Sequence, residues 1–62
     1  MNNNNSLRAE FLNAKYHAME HMLKLSCYDF NTDQDKISTE ISNVHFELTN
    51  MLHCLDEAAK GD

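Results

Sequence analysis

The side chains best suited to chemistry in this 62-residue sequence are four histidines and two cysteines. His17 and His21 stand four residues apart, so on a helix their imidazoles fall one turn apart on one side, a spacing that suits zinc or copper. Glu20 lies beside them, and His45, His53 and Cys54 supply further donors. Two histidines make half of a closed zinc site. The register derived below sends His17 and His45 to opposite flanks and leaves His53 and Cys54 near the far end, so a complete site would take ligands from another chain. His21 also falls on a core position, where a hydrogen-bonded, buried imidazole is the common outcome. A metal-binding or metal-sensing module using His17 and His21 is therefore the alternative reading, and no cofactor is assigned.

Asp29, Asn31, Asp33 and Glu40 occupy positions 1, 3, 5 and 12 of a calcium-loop pattern. Gln34 stands where that loop needs glycine for its sharp turn, and Ile37 comes one residue late. These acids read instead as turn and cap residues. No glycine-rich phosphate loop, Gly-x-Ser-x-Gly or Cys-x-x-Cys is present. Neither Cys27 nor Cys54 has cationic sequence neighbours to lower its pKa. The sequence gives no support to an enzyme.

The elements that carry these residues are helical. The chain has no proline, and its single glycine is next to last, so nothing punctuates the interior. A composition 42% hydrophobic and 24% charged is that of a folded chain. At this length a domain buries only about 60% of its unfolded surface, which leaves a marginal core. The net charge is -5, and Arg8, Lys15, Lys24, Lys36 and Lys60 are scattered singly. Nucleic-acid binders cluster such residues against phosphates. An RNA-binding helical dimer, whose pairing gathers the bases on one face, is a further alternative. The N-terminal asparagine run is unlike a secretion signal, and no apolar run reaches the roughly 18 residues of a membrane span. Cys27 and Cys54 fall near opposite ends of the hairpin, beyond the roughly 7 Å a disulfide allows. A cytoplasmic location is expected.

Residues 1–5 read as a disordered polar lead, and residues 6–62 as a helical hairpin. Helix one spans about 6–28 with Ser6 as N-cap, the turn about 29–33, and helix two about 34–60. Thr32 or Asp33 caps helix two, Asp33 and Asp35 favour its dipole, and Gly61 ends it. In helix two, Ile41, Leu48 and Leu55 take the a positions of a heptad, and Ile37, Val44, Met51 and Ala58 the d positions. Helix one carries Phe11, Ala18 and Leu25 at a, with Leu7, Ala14 and His21 at d. Folded antiparallel, facing residues have indices summing to about 62. Leu25 then meets Ile37, His21 meets Ile41, Ala18 meets Val44, Ala14 meets Leu48, Phe11 meets Met51 and Leu7 meets Leu55. Lys24 comes near Glu40, and His17 near Glu47.

Helix one has a surplus. Leu12, Tyr16, Met19 and Leu23 form a second apolar ridge about 150° from the first stripe, with Met22 between the two. Four such side chains left in water are a strong drive to associate, because fully burying one Leu or Met is worth about 1.5–3 kcal/mol. The expected architecture is all-α: an antiparallel hairpin that completes a four-helix bundle as a homodimer. The expected function is a non-enzymatic protein-interaction module, a regulator, inhibitor, adaptor or chaperone subunit, binding itself and another protein. The expected interface is Leu12, Tyr16, Met19, Met22 and Leu23, with Phe46, an aromatic opposite the stripe of helix two, as a second contact.

Overall fold

The computed structural model describes residues 4–61 and consists of two α-helices packed as an antiparallel hairpin. Helix α1 spans Asn4–Cys27 and α2 spans Gln34–Lys60. Helix α1 starts two residues before the expected Ser6 cap, so Asn4 and Asn5 are helical rather than part of a disordered lead. Residues 1–3 of that lead lie outside the described residues. Extending a formed helix backwards adds one hydrogen bond per residue, and asparagine costs only a fraction of a kcal/mol against alanine, so the asparagines do not stop it.

The connection is built from its own carboxylates. The Asp29 N–H donates to Asp33 Oδ2 at 2.8 Å, and the Asp33 N–H returns to the Asp29 carbonyl at 2.9 Å. The Asn31 N–H donates to Asp29 Oδ1 at 2.7 Å, an Asx turn that reverses the chain. Asp33 sits at the N-cap of α2, but its side chain makes no cap bond there because it is turned back on Asp29. The acids of the calcium-like pattern are thus spent inside the turn, while Glu40 points into the helix seam. At the other end Gly61 takes a positive φ of 80° and its N–H closes on the Ala58 carbonyl, ending α2 where expected.

The hairpin is a rod of 50 × 14 × 11 Å. Its radius of gyration is 14.5 Å, against roughly 10–11 Å for a compact domain of this length. Its accessible surface of 4962 Å² exceeds the roughly 4,100 Å² of a compact protein of its mass. The core is correspondingly thin. Ala14, Ala18 and Cys54 are the buried apolar residues among those described, and no large side chain is fully withdrawn from water. Among the described residues, no helix is long and apolar enough to cross a membrane.

The seam of α1 lies where its heptad places it: Leu7, Phe11, Ala14, Ala18, His21 and Leu25 are buried or half-buried. The seam of α2 is turned. Ile37, Val44 and Met51 face inward as expected, but Ala58, the last expected d position, is exposed, and the expected a positions Ile41, Leu48 and Leu55 remain 46–56% exposed. Glu40, Glu47 and Cys54, each one residue earlier, take their places, with Glu40 only 7% exposed. The apolar periodicity of α2 is unchanged; its stripe has rotated toward one flank because a carboxylate occupies the seam.

Candidate functional site

That rotation creates an apolar groove. The stripe Val44, Leu48 and Met51 on α2 forms one wall, and Ala18, Met19, Met22 and Leu23 on α1 form the other, with Lys15 and Ser26 completing the rim. The groove encloses about 500 Å³ and faces solvent along its length. Towards the free ends a second, smaller hollow of about 240 Å³ follows on the same flank, lined by Leu7, Arg8, Phe11, Leu55 and Ala58, with Cys54 at its floor in the seam. At 100° per residue, Ile41 and Leu52 also project to this side of α2. The flank is therefore apolar from Ile41 to Leu55 on one helix and from Ala18 to Leu23 on the other.

The opposite flank is polar. It carries Glu10 and Asn13 on α1, with Glu47 and Asn50 on α2. A hydrogen-bonded cluster enters the seam from this side near the turn. His21 Nδ1 lies 2.6 Å from Glu40 Oε1, Asn43 donates to the same oxygen at 3.4 Å, and the Tyr28 hydroxyl donates to Oε2 at 3.3 Å. Burial by itself pushes the Glu40 carboxyl up. The hydrogen bonds from Asn43 and His21 and the charges of His21 and Lys24 outweigh it, so Glu40 sits below the usual glutamate value. Tyr28 is pushed above its ordinary value by burial and by the neighbouring Glu40 carboxylate. Nearer the free ends, the Cys54 thiol donates to Glu10 Oε1 at 3.8 Å and is pushed up by burial first and Glu10 second. Both cysteines are free thiols, Cys27 exposed at the end of α1 and Cys54 buried. Among the described residues no buried side-chain nitrogen or oxygen lacks a partner.

This cluster also decides where the sequence-derived candidates sit. His21 is turned into the seam toward Glu40, and His17 pairs within its own helix with Glu20 at 3.7 Å rather than with Glu47. Among the described residues no three His, Cys, Asp or Glu side chains converge as metal ligands. Of the five basic residues, Arg8 and Lys15 border the apolar flank, Lys24 lies across the seam near Glu40, and Lys60 pairs with Asp56 and Glu57. Of the expected interface residues, Met19, Met22 and Leu23 share the groove. Leu12 and Tyr16 are exposed on the same side of α1, one heptad before Met19 and Leu23 and beyond the groove's own lining, whereas Phe46 is exposed toward the polar flank, away from the groove.

Sequence reasoning did not place Ile41, Leu48 and Leu55 on this surface. The signal available was His21, a core histidine whose assigned layer offered it only isoleucine, with Glu40 one residue away. No protein family, curated relative or solved structure matches the chain.

Proposed function

We propose that this chain is a non-enzymatic protein-interaction module that works as one half of a four-helix bundle, through the apolar flank shared by α1 and α2. The observation that carries this reading is the inversion of its hydrophobic inventory. The buried apolar residues are two alanines and a cysteine, while Met19, Met22, Leu23, Ile41, Leu48 and Leu55 are about half exposed or more. Contiguous apolar surface of this kind marks an interaction site in a soluble chain. Each half-exposed Leu, Ile or Met withdrawn on association contributes about 1 kcal/mol. Six of them on each side are of the order of the roughly 4–15 kcal/mol that association costs in lost freedom. The two free thiols fit a reducing, cytoplasmic setting. Regulators, adaptors and chaperone subunits all work through such a surface, and Leu12 and Tyr16 continue it along α1 toward the N-terminus.

Sedimentation velocity over about 1–100 µM tests the reading. The expected result is a species of twice the chain mass that is lost when Met22 and Leu48 are both changed to aspartate, with helicity read in parallel by circular dichroism. A fully helical monomer at every concentration that binds no hydrophobic dye at this flank would overturn it.

A further inference from the structure

The apolar flank is long enough to ask what covers it and in which direction. Its occupant must match three features: a leucine-rich line on α2, a methionine-lined groove toward the turn, and a smaller apolar hollow toward the free ends. We infer that the occupant is a second copy of this chain, docked head to tail about a twofold axis passing beside Leu48, so that Ile41 of one copy meets Leu55 of the other. This inference rests on the interaction-module reading and deepens it.

The α2 line carries the argument. Ile41, Leu48 and Leu55 are spaced seven residues apart, each about half exposed, on one side of one helix. Reversed about Leu48, the line superposes on itself: Leu48 meets Leu48, and Ile41 meets Leu55. A twofold interface requires this self-complementarity. In the parallel alternative, with both turns at one end, each α2 faces the α1 of the other copy at the same level. Leu48 and Leu55 would then lie opposite Lys15 and Arg8, because residues of α1 and α2 at one level have indices summing to about 61–64, as the His21–Glu40 and Glu10–Cys54 contacts show. Head-to-tail docking instead sets apolar against apolar along all of α2.

Shape and charge agree with this direction. Head to tail, Met19 and Met22 of one copy lie over the hollow between Leu7, Phe11 and Leu55 of the other, and methionine is the side chain best able to fill an irregular depression. Parallel docking would gather Asp29, Asp33 and Asp35 of both turns at one end, whereas head-to-tail docking places them at opposite ends of a 50 Å rod. One feature opposes it: the two Lys15 side chains approach the axis, and their stems must carry the ammonium groups outward. Area is sufficient. Six side chains, each about half exposed, offer roughly 100 Å² apiece, so two copies bury about 1,200 Å², the lower edge of a stable protein interface.

Disulfide mapping on the full chain tests the direction. With Cys27→Ser and Cys54→Ala as background, and helicity checked by circular dichroism, L48C forms a covalent dimer with itself under mild oxidation. I41C alone and L55C alone do not, and an equimolar mixture of the two gives the mixed dimer. If the alanine at position 54 unfolds the chain, Cys54 is kept and peptide mapping assigns the bond. A second readout needs no cysteine: Lys15→Leu tightens the dimer at least tenfold, because it removes the paired ammonium groups at the axis. A dimer by sedimentation whose L48C does not cross-link overturns the head-to-tail arrangement and leaves the interaction reading standing. A monomer that still binds a hydrophobic dye at the groove overturns the second copy as occupant and points to a different protein partner. A folded monomer that binds no dye overturns both.

Discussion

The two flanks of the hairpin solve opposite problems with the same pair of helices. On the polar flank, Glu40 is drawn into the seam by His21, Tyr28 and Asn43, and every buried polar side-chain atom described finds a partner. On the apolar flank, Leu48, Met22 and Leu23 find too few. The two facts have one cause. A carboxylate can enter the seam only if α2 turns about its axis, and that turn carries Ile41, Leu48 and Leu55 out of it. Satisfying the polar side exposes the apolar one, so the groove is the complement of the Glu40 cluster and not an independent feature.

Breaking the apolar flank should give the largest effect. Each of Met22→Asp and Leu48→Asp removes roughly 1 kcal/mol or more of burial per copy, and a twofold interface doubles the loss. The pair should weaken association more than a thousandfold by sedimentation equilibrium, with melting no longer dependent on concentration.

Next comes a change that removes the cause of the rotation. A chain carrying both His21→Leu and Glu40→Leu has an apolar seam near the turn, and replacing a buried hydrogen-bonded polar pair by well-packed apolar residues commonly leaves stability equal or higher. The hairpin should melt no lower than the parent while Leu48 retracts toward the seam, weakening self-association and reducing dye binding. Tighter association in this variant would show that the Glu40 cluster does not govern the exposed stripe.

Glu40→Gln alone leaves the shape and removes the charge. The folded carboxyl titrates below its ordinary value of 4.5. Its contribution is therefore complete above about pH 4.5 and is lost as pH falls through the lower folded value. The parent should lose stability on acidification through that window, and the Gln variant should start several degrees lower in Tm and show a shallower acid limb. The alkaline side has the reverse sign. Cys54 and Tyr28 are both raised from 9.0 and 10.0, so the neutral forms favour the fold, with a contribution present below those values and lost as pH rises through the folded ones. Tyr28→Phe and Cys54→Ala should each flatten the alkaline limb of a thermal-melt series. The smallest effect is expected at Phe46, exposed on the polar flank, where Phe46→Ala should change stability by no more than about 0.5 kcal/mol.

The hairpin itself was legible because its signals are local and redundant. Uninterrupted helical periodicity, a single polar break, and a sum of indices near 62 each specify the same two rods, and α1 turns toward the seam the side chains its heptad names. The break came at α2, where a heptad reading counts apolar residues and assigns them all inward. That counting contains no term for a histidine that needs an acceptor, or for a carboxylate whose three partners come from α1, the connection and α2. The consequence for the site is specific: Met19, Met22 and Leu23 were legible as surplus on α1, but their companions Leu48 and Leu55 were assigned to the core. Phe46 is exposed, yet helix geometry puts it on the other side of the rod from the groove, whereas Tyr16 shares the side of Leu23 and lies one heptad beyond the groove's lining.

The cross-section of 14 by 11 Å means that no backbone amide among the described residues lies more than about one side chain away from bulk water. A filament this slender has no deep interior to slow a protease, so brief openings of either arm present cleavable chain along most of its length. Survival time in a protease mixture would then report how fully the greasy flank is covered, and the amount of this protein that persists in a cell would follow the supply of whatever covers it.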